Sequence, residues 1–306
     1  MALMVFGMHW QDSVDGGKGH MLPLSPVACF VCLSGFLIPR SFETSAGVGH
    51  FAWKRACRIL PAFILSFVLV WVLFGGRSLP STLMQYVGMG IRPNTVGCNS
   101  ALWSLLLEEV LYIFHVATRL TKTWSVRSVW LMFVGSLAVW IWVVIRMHMH
   151  SAYDRWWPDM QMGPVTAFFA GNLLSFYKER LTVRSVTVGG FIFAVTALIH
   201  PPGWLPVDVI YVPVITSLVV ALAYVLPQVP LRIPDLSYGI YVYHMPILLA
   251  TSARGLHNWP LILAFTVGFS ALSWYLVEKP VLSLKSRSRP TQLSTPNKPD
   301  EADVKV

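Results

Sequence analysis

The sequence predicts an all-α fold, a polytopic membrane helix bundle of about ten transmembrane helices with the first one truncated. Of the 306 residues, 55% are hydrophobic and only 12% are charged, and the mean hydropathy is +0.59. Soluble domains carry about 25% charged residues, so this composition indicates an integral membrane protein. Apolar runs recur along nearly the whole chain, and most approach the roughly 20 residues that a spanning helix needs.

The predicted elements follow these runs in chain order. Residues 2–10 form a short apolar run, which at about 1.5 Å per residue gives a helix of only ~13 Å, whereas the hydrocarbon core is about 30 Å thick. Several later runs contain Pro or Gly, which membrane helices tolerate where neighbouring groups satisfy the backbone. Nine further spans are predicted at residues 21–39, 57–75, 101–118, 129–147, 163–177, 186–199, 207–226, 236–253 and 259–278.

We find no internal repeat and no long soluble insertion, so residues 1–285 are predicted to form one membrane domain. From about Ser286 the composition turns to Ser, Arg, Pro, Thr, Lys and Asp. A segment this polar cannot bury a core. We therefore expect residues 286–306 to form a disordered cytoplasmic tail.

Basic residues set the predicted orientation. The chain carries 23 Lys and Arg against 14 Asp and Glu, a formal net charge of +9, which by itself could indicate nucleic-acid binding. With residues 2–10 counted as span one, 17 of the 23 lie in the tail or in loops after even-numbered spans, and six lie in the other loops. The positive-inside rule then predicts a multi-pass protein of the plasma (inner) membrane with both termini in the cytoplasm. No nucleic-acid partner is expected.

Cysteine and histidine spacings do not predict a metal site. Cys29 and Cys32 are three residues apart on one apolar run, and no second ligand pair follows, so buried small side chains are favoured over a metal or redox pair. His148 and His150 lack the third ligand of a zinc site. We expect neither a metal nor a bound cofactor.

Two adjacent carboxylates, Glu108 and Glu109, lie inside the predicted span 101–118. An ionised carboxylate is costly in hydrocarbon, so a Glu at this depth faces a polar cavity or a partner and marks a functional hypothesis. Tyr112 follows Glu108 by four residues and His115 follows it by seven, which predicts one polar stripe on the helix. A purely structural hydrogen-bonded cluster is the alternative interpretation.

Two stretches upstream accompany this pair of carboxylates. Phe-Val-Cys-Leu-Ser-Gly-Phe-Leu-Ile places Ser34 and Gly35 inside a span, where small residues also permit close helix packing. Trp-Lys-Arg-Ala-Cys-Arg-Ile-Leu-Pro places Arg55 and Arg58 three residues apart on one helical face. The pair is either an ordinary cytoplasmic anchor or a phosphate-binding pair of guanidinium groups.

Two more stretches lie towards the end of the chain. Leu-Ser-Tyr-Gly-Ile-Tyr-Val-Tyr-His-Met-Pro spans residues 236–246 and contains His244. A helix kink and packing explain the Pro and most of the tyrosines but not the His. Ser-Trp-Tyr-Leu-Val-Glu-Lys-Pro closes the final span, where Glu278 could simply pair with a basic neighbour.

These five stretches resemble, in order and spacing, the acyltransferase-3 family of multi-spanning membrane O-acyltransferases. Members typically show Ser-Gly-Phe-Leu-Ile, Arg-x-x-Arg-Ile-x-Pro, Trp-Ser-Leu-x-x-Glu-x-x-x-Tyr, Ser-Tyr-Gly-Ile-Tyr-x-x-His-x-Pro and Ser-Trp-x-x-x-Glu-x-Pro. Each motif alone is weak, whereas the five together are specific. The matches run from His9 to Pro280, and the family's ten-helix core agrees with the span count.

The resemblance implies an acyltransferase that moves groups other than amino-acyl groups. Such enzymes take an acyl group from cytoplasmic acyl-coenzyme A, often acetyl-coenzyme A, as co-substrate. They pass it to a hydroxyl of a glycan, a lipid-linked saccharide or a similar acceptor, as in polysaccharide O-acetylation. Membrane lipid, acyl-coenzyme A and this acceptor are then the expected partners.

The resemblance also implies roles for individual residues. His9 matches the family's catalytic His, and an Arg that precedes this His by eleven positions in the family would fall ahead of Met1, so we expect the functional protein to begin upstream. The family's Gly-Val-Asp/Glu stretch reads Pro-Val-Ala here, at residues 26–28. The implied catalytic residues are His9, Glu108 and His244, the donor-binding residues are Arg55 and Arg58, and the structural or cavity residues are Ser34, Gly35, Trp103, Ser104, Tyr112 and Glu278.

The implied chemistry leaves alternatives open. A neutral His as general base would accept the hydroxyl proton while the thioester carbonyl is attacked, but an acyl-enzyme on Ser34 or Ser104 is equally conceivable. A transporter or flippase of a lipid-linked saccharide would also carry intramembrane charges, although the two repeated halves typical of transporters are not found. A non-catalytic relative would account for the family's missing Arg.

Overall fold

The described part of the chain is helical throughout. The computed structural model describes residues 2–15, 25–76, 82–83, 86, 99–149, 156–199, 205–227 and 234–287, and no strand occurs among them. The helices are α1 (Ala2–Asp15), α2 (Pro26–Glu43), α3 (Val48–Phe74), α4 (Trp103–Leu120), α5 (Val126–Met149), α6 (Trp156–Tyr177), α7 (Val183–Ile199), α8 (Leu205–Val225), α9 (Ser237–Ser252), α10 (Trp259–Ser273) and α11 (Lys279–Arg287). A π-helical turn, Trp274–Glu278, joins α10 directly to α11.

The predicted all-α class is confirmed, and each of the nine later predicted spans corresponds to one of helices α2 to α10. Within the described residues, four segments are long and apolar enough to cross a membrane: Pro26–Glu43, Val48–Phe74, Val126–Arg146 and Trp259–Leu284. The count of about ten spans therefore stays a prediction. α1 runs to Asp15, five residues beyond the predicted run, and α11 ends at Arg287, inside the predicted tail, whose remaining residues lie outside the described part.

Local sequence explains several helix ends. Ser25 precedes α2, and its hydroxyl accepts a hydrogen bond from the backbone N–H of Ala28 at 3.3 Å, which satisfies one of the free donors of the first turn. Asn258 caps α10 in the same way. Gly75 ends α3 with a φ of 82°, a left-handed conformation that glycine adopts without steric cost.

The closest helix contact joins α2 to α6. A Cβ atom at Gly35 would overlap the carbonyl oxygen of Phe168, and one at Gly171 would overlap the carbonyl oxygen of Cys32. Only glycine permits backbones to approach so closely. Cys29 and Cys32 lie buried as free thiols on the same helix, so the structure supports packing roles for the cysteines and for Gly35.

Two groups of helices pack on either side of α4. Helices α1, α3, α9 and α10 share one core, which includes Val5, Tyr243 and Leu248, whereas α2, α5, α6 and α8 pack together on the other side. α4 contributes Leu105 to the first core and Leu111 to the second. It therefore carries Glu108 between the two groups.

Candidate active site

Two histidines that are far apart in the sequence contact each other within the group formed by α1, α3, α9 and α10. Nδ1 of His9, on α1, lies 2.7 Å from Nε2 of His244, on α9, and the two rings are stacked with their centroids 5.0 Å apart. His244 is fully buried. The sequence suggested both residues separately, and the structure brings them into direct contact.

The hydrogen bonds of this pair fix which nitrogen carries each proton. Nδ1 of His244 lies 2.7 Å from the carbonyl oxygen of Tyr241, and a carbonyl oxygen can only accept. A neutral His244 therefore carries its proton on Nδ1 and accepts at Nε2. His9 must then donate from Nδ1, which leaves the lone pair on Nε2 of His9 free to take a proton.

Tyr241 connects the histidine pair to α4. Its phenol donates to the carbonyl oxygen of Ala101 at 2.9 Å and lies 2.5 Å from Oγ of Ser104. Because the phenol has one proton, Ser104 is the donor in that second contact. Trp103, the preceding residue, is buried in the other core, with Val27 and Phe168. Ser104 thus contacts α9, whereas Trp103 packs into the core on the other side of α4.

Glu108 lies one turn further along α4, in a cluster of hydroxyl groups. Oγ of Ser34, on α2, donates to Oε1 of Glu108, and the phenol of Tyr112 donates to Oγ of Ser34 at 3.1 Å. Arg55 interacts electrostatically with Glu108. Ser34 therefore links Glu108 to Tyr112, a connection that the sequence did not predict, and the cluster joins α2, α3 and α4.

The rest of the predicted stripe on α4 does not join this cluster. His115 is fully buried one turn beyond Tyr112, between the rings of Phe42 and Trp124. Its Nε2 faces Nε of Arg119 at 3.5 Å. α2 thus supplies a serine opposite Glu108 and Tyr112 but the ring of Phe42 opposite His115, so the predicted face of α4 carries a hydrogen-bonded cluster at one end and an aromatic contact at the other.

Arg55 and Arg58 contact different neighbours even though they share a helix. Nη2 of Arg55 donates to Oγ of Ser41 at 3.1 Å, and its guanidinium lies 5.8 Å from the ring centroid of Tyr112. Its Nε is buried and has no hydrogen-bond partner among the described residues. Arg55 therefore keeps an unused donor beside the Glu108 cluster.

Arg58 is held by a carboxylate that the sequence analysis did not single out. Its Nη2 lies 2.5 Å from Oδ2 of Asp235, just ahead of α9, and Oδ1 of Asp235 accepts from the N–H and hydroxyl of Ser237. Burial opposes ionisation of Asp235, but the hydrogen bonds from Ser237 and the charge of Arg58 outweigh it and hold the pKa of Asp235 below its usual range. The only sequence signal for this pair is an acidic residue directly before the Leu-Ser-Tyr-Gly stretch.

Glu278 lies near the same ion pair, in the π-helical turn. It is 2% exposed, and its Oε1 accepts from the hydroxyl of Ser273 at 3.0 Å, which also lies 2.7 Å from the hydroxyl of Tyr243. Arg58 interacts electrostatically with it. Glu278 thus extends the polar contacts of Arg58 into the helix group that holds the histidine pair.

The histidine pair lies about midway along α9. His244 follows Ser237 by seven residues and precedes Ser252 by eight, which at about 1.5 Å per residue is roughly 10 and 12 Å along the helix. Arg58 and Asp235 mark one end of α9 and Arg254 follows the other. The histidine pair thus lies between one Arg near the start of α9 and another just beyond its end.

Comparison with known proteins identifies relatives over most of the chain. A family model described as an acyltransferase domain, of the acyltransferase-3 family, matches residues 1–278. Nodulation protein 10 of Rhizobium leguminosarum bv. viciae is 27% identical over 332 aligned positions, covering 91% of this chain and 88% of the relative. An O-acetyl transferase of Shigella phage Sf6 is 28% identical over 287 positions, covering 85% of each. No solved structure matches the chain.

Proposed function

This chain belongs to the acyltransferase-3 family, and from that premise we propose that it moves an acetyl group from cytoplasmic acetyl-coenzyme A to a hydroxyl of a glycan or lipid-linked saccharide. Membership of the family and its apolar helices support membrane acyltransferase activity. The name of the phage relative, an O-acetyl transferase, supports acetyl as the group and oxygen as its destination. No observation favours a transporter.

The contact between His9 and His244 carries the proposal. A hydroxyl is a poor nucleophile until a base takes its proton, and general-base catalysis is worth about 10²- to 10⁴-fold in rate. Nε2 of His9 has the free lone pair, while its Nδ1–H is held by Nε2 of His244, 2.7 Å away. His244 is in turn fixed by the Tyr241 carbonyl. This series of hydrogen bonds orients the base and stabilises the imidazolium that forms.

The reaction then balances with these residues alone. The acceptor oxygen attacks the thioester carbonyl carbon and its proton passes to Nε2 of His9. The carbon–sulfur bond breaks as the ester forms, and the departing thiolate takes the same proton back, releasing coenzyme A and neutral His9. His9 is the proposed catalytic residue, and His244 is a positioning residue that acts through it.

The hydrogen bonds of Ser34 and Ser104 favour direct transfer over an acyl-enzyme intermediate. A serine nucleophile needs a base within hydrogen-bond reach. Ser34 donates to Glu108, and Ser104 contacts Tyr241, and neither hydroxyl is hydrogen-bonded to a histidine among the described residues. We therefore assign Ser34, Glu108 and Tyr112 to orienting the reactants rather than to covalent catalysis.

The donor enters from the side of Arg55 and Arg58 in this proposal. Coenzyme A carries several phosphate charges, which guanidinium groups bind well. Arg55 has a free buried donor, and Arg58 is partly exposed with one carboxylate partner. In the predicted topology of about ten spans with cytoplasmic termini in the plasma membrane, both residues lie at the cytoplasmic side.

The test is transfer of label from acetyl-coenzyme A in membranes that contain the full chain and a glycan acceptor. His9→Gln and His244→Gln should lower turnover by about 10²- to 10⁴-fold with normal membrane levels. His257→Gln alters an exposed histidine outside the site and should leave turnover unchanged. Normal turnover in His9→Gln would contradict the assignment of the base. Movement of unacetylated saccharide across the membrane, without label transfer, would favour the transporter.

A further inference from the structure

An apolar groove of about 440 Å³ lies between α3, α9 and α10. This volume falls within the roughly 300–1,000 Å³ of small-molecule sites. The hydroxyl of Thr251, in its wall, donates to the carbonyl oxygens of Ile247 and Leu248 at 2.8 and 2.9 Å, so it offers no free donor to a ligand. The apolar residues of the wall include Leu69, Leu73, Ala264, Phe265, Phe269 and Leu272.

The groove faces outward from the helix bundle. Its walls on α3 and α10 belong to the candidate membrane spans Val48–Phe74 and Trp259–Leu284. Phe265 and Leu272 are 53% and 55% exposed. Exposing apolar side chains of this size to water is unfavourable. In a bilayer this surface meets hydrocarbon, so a ligand of the groove carries a hydrocarbon chain.

Arg254 is the one charged side chain among the described residues that line this mostly apolar groove. Nη1 of Arg254 donates to the carbonyl oxygen of Ala250 at 2.7 Å, and Arg254 forms no ion pair with another described residue. A guanidinium has five N–H donors, so donors beyond this bond suit a phosphate. An apolar groove with an Arg at its end is complementary to a lipid phosphate.

The groove wall and His244 share one helix, α9. His244, Ile247, Thr251 and Arg254 are separated by three, four and three residues, a spacing that places them along one side of a helix. Ile247 in the groove wall lies one turn from His244. The groove therefore lies on the same face of α9 as His244, the residue that contacts the proposed base, His9.

We propose that this groove binds the carrier lipid of a lipid-linked saccharide acceptor, with the hydrocarbon chain between α9 and α10 and the phosphate on Arg254. The proposal rests on the function proposed above and narrows its acceptor to a saccharide held on a lipid phosphate. Arg58 and Arg254 then hold the donor and acceptor phosphates at opposite ends of α9, with His244 between them. The groove wall lies one turn from His244 on α9, which favours this occupant over bulk phospholipid, since bulk phospholipid needs no neighbouring site.

The binding test uses the purified full chain in phosphatidylcholine nanodiscs. The probe is hexadecyl phosphate with a photoreactive diazirine in its chain, and hexadecanol with the same diazirine is its uncharged counterpart. We expect the phosphate probe to label residues 264–272, and Arg254→Gln to lower its affinity on the order of tenfold. Arg146→Gln, an exposed Arg on α5, is the matched control and should change nothing.

A second variant blocks the groove itself. A Cβ atom at Gly268, in the groove wall, meets nothing within 4 Å, so Gly268→Leu should fill the groove without disturbing the fold and abolish labelling. Gly135 on α5 has equally open space, and Gly135→Leu is the matched control. Equal labelling by the hexadecanol probe, or labelling that persists in both Arg254→Gln and Gly268→Leu, would overturn the proposal.

Kinetic measurements test whether the bound lipid is the one that carries the saccharide acceptor. Arg254→Gln should raise KM for a lipid-linked saccharide about tenfold and leave KM for the lipid-free saccharide unchanged, whereas equal changes in both would overturn the proposal. Crosslinking needs neither donor nor turnover. A chain that is labelled in an Arg254-dependent manner but transfers no acetyl group would support the lipid-phosphate site and refute the acyltransferase proposal.

Discussion

Replacing Asp235 by Asn should strengthen binding of the acyl-coenzyme A donor. In the free protein Asp235 holds Arg58 at 2.5 Å, so the donor must compete with this carboxylate for the guanidinium. Asn keeps the size of the side chain and an Oδ1 that can still accept from Ser237, as Asp235 does now. The substitution therefore releases Arg58 without removing the contact that begins α9.

The magnitude follows from the exposure of the pair. The side chains of Arg58 and Asp235 are 28% and 55% exposed, and ion pairs of this kind are worth about 0.2–1 kcal/mol. At 1.4 kcal/mol per tenfold change, the dissociation constant of acetyl-coenzyme A should fall about 1.4- to 5-fold. Arg58→Ala removes the contact itself, and loss of a charged hydrogen bond of about 1.5–3 kcal/mol should weaken donor binding roughly 10- to 150-fold.

Calorimetry with acetyl-coenzyme A on the purified protein measures both effects. Glu43→Gln is the matched control, because Glu43 pairs with Arg119 at 2.8 Å with similar exposure but not with either proposed donor-binding residue. Asp235→Asn should have no effect once Arg58 is Ala. Weaker donor binding in Asp235→Asn, or the same gain with Arg58 absent, would refute the reasoning.

The same ion pair predicts the pH dependence of stability. Because the pKa of Asp235 is lowered in the folded protein, its contribution to stability is fully present above the unfolded value of about 3.9. That contribution is lost only as the pH falls through the lower folded value. Asp235 therefore stays ionised between about pH 6 and 8, so the affinity for the donor should not change over that range through protonation of Asp235. A gain in donor affinity over that range on acidification, present in the natural chain and absent from Asp235→Asn, would contradict this.

The remaining predictions concern packing, positioning and topology. Gly35→Ala should destabilise the protein by about 1–3 kcal/mol or more, because its Cβ would overlap a carbonyl oxygen on α6, and the melting temperature in detergent measures this. Tyr241→Phe should cost far less turnover than His244→Gln, since the carbonyl that holds His244 is kept; equal losses would assign the phenol itself to catalysis. Single cysteines introduced at Arg127 and Arg155, in a chain without native cysteines, should be labelled only from the cytoplasmic and outer sides, respectively, and the reverse pattern would overturn the orientation.

Apolar runs predicted the helices because a segment that crosses a bilayer must be long and hydrophobic, and its backbone groups must all be hydrogen-bonded within the protein. Their ends were harder to place. α1 continues through polar residues to Asp15, where hydropathy falls although the backbone stays helical. The π-helical turn at Trp274–Glu278 was not predicted, because side-chain periodicity of 3.6 residues gives no signal for a single turn with i→i+5 hydrogen bonds.

The site was predictable as residue types but not as pairs. An intramembrane Glu is a functional hypothesis in any sequence, and Glu108 does contact Ser34 and lie near Arg55. The contact of His9 with His244 joins residues 235 positions apart, and that of Arg58 with Asp235 joins residues 177 apart. Such pairings depend on how the helices pack, which local sequence does not specify.

The adjacent residues Ser34 and Gly35 show how one motif makes both a close packing contact and a hydrogen bond. Successive residues on an α-helix point about 100° apart, so they meet different neighbours. Ser34 donates to Glu108 on α4, whereas Gly35 lies against the backbone of Phe168 on α6. The packing interpretation therefore explains the glycine, and the hydrogen bond to Glu108 explains the serine. Because the glycine contact fixes how α2 lies against α6, it also fixes the direction in which the serine hydroxyl reaches the carboxylate.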